Sequence, residues 1–167
     1  AMEQLPSRRL AERTFAIVTA PMAMTWGEPR EGAAVQTQLL LGERLLLLDE
    51  AADGGYVLAH GADGYVGWVR SDSIIRVTAD EAREWERAPA ALMTRDVLAG
   101  GIRVPAGARL PVVRGPDGDS VELRLPPGPA DRGEHSAFRA PLDSVILSPG
   151  EARGQAVATT AGGDLST

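Results

Sequence analysis

The stretch Gly64-Tyr65-Val66-Gly67-Trp68-Val69 decides how this chain is read. It follows Ala62-Asp63, so a glycine turn leads into a short β-prone run. Two glycines in six residues permit tight turns. A tryptophan between apolar neighbours packs in or over a small β structure, where its ring buries most of its area.

Outward from this stretch the pattern stays β. Phe15-Ala16-Ile17-Val18 is a short strand candidate, and Thr37–Leu41 and Arg44–Leu48 flank a turn at Gly42-Glu43. Tyr56-Val57-Leu58 follows the turn Asp53-Gly54-Gly55. Strands of about five residues at this spacing predict a small barrel or sandwich. Trp26-Gly27-Glu28-Pro29 reads as part of a loop. One segment differs: Thr78-Ala79-Asp80-Glu81 is a capping box, which predicts a helix over 79–87 with Trp85 as its one large apolar residue. Pro89 ends that helix at or before Ala88.

An internal repeat divides the chain. Gly42-Glu43-Arg44-Leu45 corresponds to Gly107-Ala108-Arg109-Leu110, and Asp72-Ser73-Ile74-Ile75 to Asp143-Ser144-Val145-Ile146, at offsets of 65 and 71 residues. The expected fold class is all-β: two tandem small β-barrels joined by a short helical linker. The expected boundaries are a lead segment over 1–13, a first barrel over 14–77, the linker over 78–89, a second barrel over 90–148 and a tail over 149–167. The second copy is degenerate, with a long loop from Pro126 to His135 and Phe138 as its only aromatic. In the tail, Ser148 caps a predicted helix over 150–161, with Glu151 at its third position. A unit of about 65 residues buries only about 60% of its unfolded surface, so the two are expected to pack together with Trp85 at or near the junction.

Composition excludes several classes. The 167 residues are 44% apolar and 24% charged, with net charge −6 and no apolar run long enough to span a membrane. The sequence pI is about 4.9, against the basic face that a nucleic-acid binder needs. Cysteine is absent, which removes thiol nucleophiles and thiolate metal sites from the chain as given. His60 and His135 stand in no metal-ligand spacing. No metal or cofactor is expected. Two tyrosines in the whole chain supply a groove for Pro-rich helices poorly. Ala1 before Met2 reads as an expression scar. No signal peptide is visible, which points to the cytoplasm, or to the cell envelope if a signal was removed.

The first unit resembles a bacterial SH3 (SH3b) domain, on Thr37–Glu43 and above all on Gly64-Tyr65-Val66-Gly67-Trp68-Val69. The tandem arrangement, over about residues 14–149, is similar to the N-terminal half of NlpC-type cysteine peptidases, closest to the γ-D-glutamyl-L-diamino acid endopeptidases (dipeptidyl-peptidase VI). Gln155–Ala161 resembles the start of the first helix of that family's papain-like domain. The resemblance implies that a peptidase domain carrying the cysteine would lie downstream, and that this chain has no catalytic residues of its own. It further implies that the first unit helps shape the cleft for a murein peptide beginning with free L-Ala-γ-D-Glu. By position, Glu28 and Tyr65 match the groups that meet the ammonium, with Trp26 as an apolar wall. A carboxylate on an ammonium makes a charge-assisted hydrogen bond, and a phenol adds an acceptor.

Each residue also has a plainer reading. Glu31 is the alternate carboxylate if the loop register shifts. Trp68 is an alternate ligand platform, or else core or inter-unit packing. Trp26 either packs on the second unit or lines a cleft. The competing functional reading is a stand-alone tandem SH3b binding or adaptor protein with no enzymatic partner domain.

Overall fold

The structure is a computed structural model that describes residues 4–128 and 136–148. His135, the middle of the loop before Phe138 and the helix expected over 150–161 lie outside the described residues. Seven strands form the first sheet: β1 (Phe15–Val18), β2 (Met22–Trp26), β3 (Val35–Leu40), β4 (Arg44–Glu50), β5 (Tyr56–His60), β6 (Val66–Arg70) and β7 (Ile74–Val77). Their order is β3-β2-β6-β5-β4-β1-β7, antiparallel throughout. β2 and β1 stand four places apart, which in a flat sheet is about 19 Å. The link from Val18 to Met22 reaches only about 14 Å. The sheet must therefore curl strongly.

The second half repeats this plan. It comprises β8 (Ala90–Met93), β9 (Val97–Ala99), β10 (Ile102–Val104), β11 (Arg109–Asp117), β12 (Ser120–Arg124), β13 (Ala137–Pro141) and β14 (Val145–Ser148). The order β13-β12-β11-β8-β14, with β10-β9 apart, is the first sheet's order with one junction missing. Registers agree residue by residue: Ile17 pairs with Arg44 as Leu92 pairs with Arg109, and with Ile75 as Leu92 pairs with Ile146. Single-turn 3-10 segments, Ser71–Ser73 and Leu142–Ser144, precede the last strand of each. The missing junction is β2 to β6, made in the first sheet by the single pair Trp26 and Trp68. The loop between β2 and β3 spans 27–34, whereas only Gly100-Gly101 separates β9 from β10.

Between the sheets lies α1 (Ala79–Arg87). The Thr78 hydroxyl accepts from the Glu81 amide, and the Glu81 carboxylate accepts from the Thr78 amide at 2.8 Å. Ala82 and Trp85, three residues apart and so on one face, are its buried residues. The Trp85 indole N–H donates to the Gly42 carbonyl at 2.9 Å. Trp85 shares one buried cluster with Ile17 and Leu41 of the first half and Ala91, Leu110 and Leu123 of the second. The first sheet keeps a separate core, including Leu39, Leu45, Leu47, Val57 and Val69, into which Leu10 of the lead segment also packs.

Trp26 corrects the sequence reading. It is the last residue of β2, not a loop residue. The inward positions of that strand are the small Ala23 and Thr25, so the alternation of large apolar residues that marks a strand is missing there.

Candidate functional site

The seam between β2 and β6 is built on Gly67. A Cβ there would lie 2.8 Å from Thr25 Cβ and 3.3 Å from the Trp26 carbonyl oxygen. This glycine serves a close approach of two strands rather than a tight turn. Gly64 is the turn residue, with φ of +85°. The ladder between β2 and β3 shifts register after Thr25. There the Thr25 hydroxyl accepts from the Thr37 amide at 2.9 Å and holds the strand in place.

Alternation turns Gly67 and Val69 inward and Trp68 outward. Trp68 and its partner Trp26 are both half-buried. Cross-strand pairing extends them into a row of Val35, Trp26, Trp68 and Leu58 over four neighbouring strands. Neither tryptophan belongs to the buried clusters or to the residues packed on the inter-unit cluster. Trp68 stands half-buried on the outer side of β6, in register with Trp26.

Glu28 lies in the 27–34 loop, which the Gly27 amide closes by donating to the Ala34 carbonyl at 2.8 Å. Its carboxylate accepts from Arg30 Nε at 2.7 Å, both side chains being largely exposed. That hydrogen bond, and then the guanidinium charge, holds Glu28 below the usual carboxylate range. Glu31 is exposed. Arg70 chiefly binds Asp72, through two hydrogen bonds of 2.7 and 3.1 Å. It stands two residues after Trp68 on the same face, with Tyr56 as its cross-strand partner.

Tyr65 sits just before β6 and is 56% exposed. Its amide donates to Asp63 Oδ1 at 3.1 Å and its carbonyl accepts from the Gly61 amide at 3.0 Å. Asp63 Oδ2 accepts from the Thr37 hydroxyl at 3.0 Å and so ties this turn to β3. The Tyr65 phenol has no hydrogen-bond partner among the described residues.

The structure thus pairs Trp26 with Trp68 across β2 and β6 and gives Glu28 to Arg30. No hydrogen bond among the described residues joins Glu28 to Tyr65. The arginines were not singled out from sequence, although Arg30 stands two residues from Glu28 and Arg70 two from Trp68. Each already holds a neighbouring carboxylate, Glu28 or Asp72. His60 ends β5, half-buried. Two crevices among the described residues lie elsewhere. One, of about 190 Å3, is at the junction beside Gly42, Trp85 and Arg109. The other, of about 310 Å3, is lined by Thr19, Asp72 and Leu125 among others. Among the described residues no group of three His, Asp or Glu is placed to hold a metal ion. No helix there is long and apolar enough to cross a membrane.

Residues 27–74 match the family model of the bacterial dipeptidyl-peptidase SH3 domain, from the start of the loop, through Trp68, to the first residue of β7. Among solved structures, an NlpC/P60 endopeptidase from Photobacterium damselae subsp. piscicida is similar with a TM-score of 0.58 at 17% identity, over 87% of this chain and 35% of that one. An NlpC/P60 family protein from Bacillus cereus ATCC 10987 gives 0.61 at 17% identity, over 81% of this chain and 57% of that one. At that identity the likeness is one of fold, and it takes in both halves. The chain spans less than two thirds of either structure's length. No curated protein matches the chain.

Proposed function

We propose that this chain is the recognition half of a cell-wall peptide hydrolase, without a catalytic group of its own. In this reading, the Trp26–Trp68 face and the 27–34 loop receive a murein peptide of the L-Ala-γ-D-Glu-diamino acid type. The observation that carries the reading is the match of residues 27–74, which holds the loop, Tyr65 and Trp68 in one unit, to a dipeptidyl-peptidase SH3 domain. The fold shared with NlpC/P60 proteins supports it. So does the absence of cysteine, because a thiol nucleophile would have to come from a further domain.

The chemistry suits a small zwitterion. The ammonium of a free N-terminal alanine would take the Glu28 carboxylate in competition with Arg30, or Glu31 in the alternate register. A peptide carboxylate would take the Arg70 guanidinium in competition with Asp72, which holds it at 2.7 and 3.1 Å. The phenol of Tyr65 offers an acceptor, and Trp26 with Trp68 supplies an apolar floor. A peptide still joined to glycan lacks the ammonium and would be refused. Such a module suits the recycling of released murein peptides in the cytoplasm.

The test is an NMR titration of the labelled full chain with L-Ala-γ-D-Glu-diaminopimelate, free and N-acetylated. The expected result is movement of the Trp26 and Trp68 indole signals and of the amides of 28–31, with affinity about tenfold lower for the acetylated peptide, or roughly 1.4 kcal/mol. Equal affinity for both peptides, or no movement at about 10 mM peptide, a binding energy under roughly 3 kcal/mol, overturns the reading.

A further inference from the structure

Gly42-Glu43-Arg44 and Gly107-Ala108-Arg109 hold the same place in the two sheets, at the head of β4 and of β11. Both turns line the junction crevice of about 190 Å3, together with Trp85 and Glu86 of α1. The repeat is unequal in its charges. Arg44 is engaged within the chain: its Nε lies 3.1 Å from the Glu86 carboxylate, and its guanidinium stands 5.4 Å from the centre of the Phe15 ring. Arg109 is exposed, and its guanidinium makes no hydrogen bond or ion pair with a described residue.

Glu43 has no acidic counterpart, since Ala108 stands in its place. One of its carboxylate oxygens accepts from the Leu40 amide at 2.9 Å. The other has no partner among the described residues. Asp63 adds negative charge on that side. The crevice is thus left with one uncommitted charge of each sign, the acid from the first unit and the guanidinium from the second. Its floor is apolar, with Trp85, Ala90 and Pro111 all buried.

A bare anion would find Arg109 here but would also meet Glu43 and Glu86. A bare cation would meet both arginines. A molecule with both signs and a short apolar part suits all of these groups. The volume lies below the roughly 300 Å3 at which sites for drug-sized ligands begin, so the occupant is small. We infer that the junction crevice is a binding site for a free α-amino acid with an apolar side chain. The Arg109 guanidinium takes the carboxylate, Glu43 takes the ammonium, and the side chain lies on the Trp85 floor. This site shares no residue with the Trp26–Trp68 face and is independent of the function proposed for it.

The experiment is an NMR titration of the labelled full chain with L-leucine, with leucinamide, which lacks the carboxylate, and with N-acetyl-leucine, which lacks the ammonium. L-leucine is expected to move the Trp85 indole signal and the amides of 107–110 while the Trp26 and Trp68 signals stay in place. It should bind about fivefold more tightly than either derivative. Arg109→Gln should weaken L-leucine by about fivefold and leave leucinamide unchanged. Glu43→Gln should weaken L-leucine to a similar degree and leave N-acetyl-leucine unchanged. No movement of the Trp85 signal at about 20 mM L-leucine overturns the inference. So do equal affinities for the three molecules, which would make the crevice an apolar pocket only. An affinity for L-leucine that either substitution leaves unchanged also overturns it. Movement of the Trp26 and Trp68 signals alone would place the amino acid on the face of the first unit instead.

Discussion

Gly42 and Gly107 occupy the same turn of two matched sheets, with φ of +86° and +88°, and each turn packs against the other half of the molecule. A Cβ on Gly42 would lie 2.8 Å from the Arg109 carbonyl oxygen and 2.8 Å from Leu110 Cδ2. One on Gly107 would lie 3.0 Å from Leu40 Cδ1. Both conformations are in the left-handed region, which costs an alanine about 1–2 kcal/mol. Only at Gly42 does the added atom also meet backbone, and forcing an extra carbon into a packed junction adds roughly 1–3 kcal/mol. Gly42→Ala is therefore expected to cost about 3 kcal/mol and Gly107→Ala about half that. Urea unfolding of the two variants checks the order, and equal losses would place the strain in the turn alone.

Trp85 is the other tie across the junction. Its N–H is the donor to a buried carbonyl, that of Gly42. Trp85→Phe keeps a ring in the cluster but orphans that acceptor, at about 1–3 kcal/mol. The neighbouring Arg44–Glu86 pair is partly exposed, so Glu86→Gln should cost under about 1 kcal/mol. Comparing urea midpoints at unchanged slope separates the two. A Glu86→Gln loss as large as that of Trp85→Phe would contradict this ranking.

The legible parts of the fold were those with a local physical signature. The capping box Thr78/Glu81 and the stop at Pro89 gave α1 to the residue, and the glycines at 42 and 107 marked turns that have positive φ. The repeat was legible because it kept Gly-x-Arg-Leu at one end and Asp-Ser-Val/Ile-Ile at the other. β2 escaped because Ala23 and Thr25 fill its inward positions, and the short β9 and β10 carry too few residues to show a period. In the candidate site, Trp26 and Trp68 stood out as residue types. Their pairing depends on β2 lying next to β6, forty residues apart in sequence, which no local pattern shows. The Glu28–Arg30 pair was close enough in sequence to be noticed but lacks a distinctive spacing.

Gly67 is the hinge of that pairing. Gly67→Ala places a methyl against Thr25 Cβ at 2.8 Å and must push β2 from β6. A stability loss of about 1–3 kcal/mol is expected. Because Trp26 and Trp68 form the one ladder pair between these strands, the tryptophan emission should shift to the red as both indoles gain water. An unchanged emission with lowered stability would mean that the strand moves elsewhere.

Glu43 carries a pH dependence of definite sign. Desolvation raises its carboxyl above the usual 4.5, Asp63 adds to this, and the hydrogen bond from the Leu40 amide opposes it. A raised value means that the folded chain holds more protons than the unfolded one between the two values, so stability falls as pH rises through that window. The loss is complete above the folded value. Glu43→Gln retains an oxygen for Leu40 and has no charge to desolvate. It should be more stable than the unaltered chain at pH 7 and no more stable at pH 3.5, read from urea midpoints at both. A gain of equal size at both pH values would assign the effect to something other than ionisation.

Arg30 is where the proposed ligand and the structure compete. The guanidinium occupies Glu28 at 2.7 Å, and an incoming ammonium must displace it. Exposed pairs of this kind are weak, so Arg30→Ala should tighten binding of the free-amine tripeptide by up to about fivefold. The acetylated peptide should gain nothing. The same substitution also moves the pH limit of the discrimination. Arg30 depresses the Glu28 carboxyl, which therefore stays charged to lower pH with the arginine than without it. Without Arg30, preference for the free amine should fade as pH drops toward the ordinary glutamate range near 4.5, earlier than in the unaltered chain. Weaker binding of both peptides by Arg30→Ala would instead make Arg30 the ligand group, taking a peptide carboxylate, and would remove Glu28 from the site.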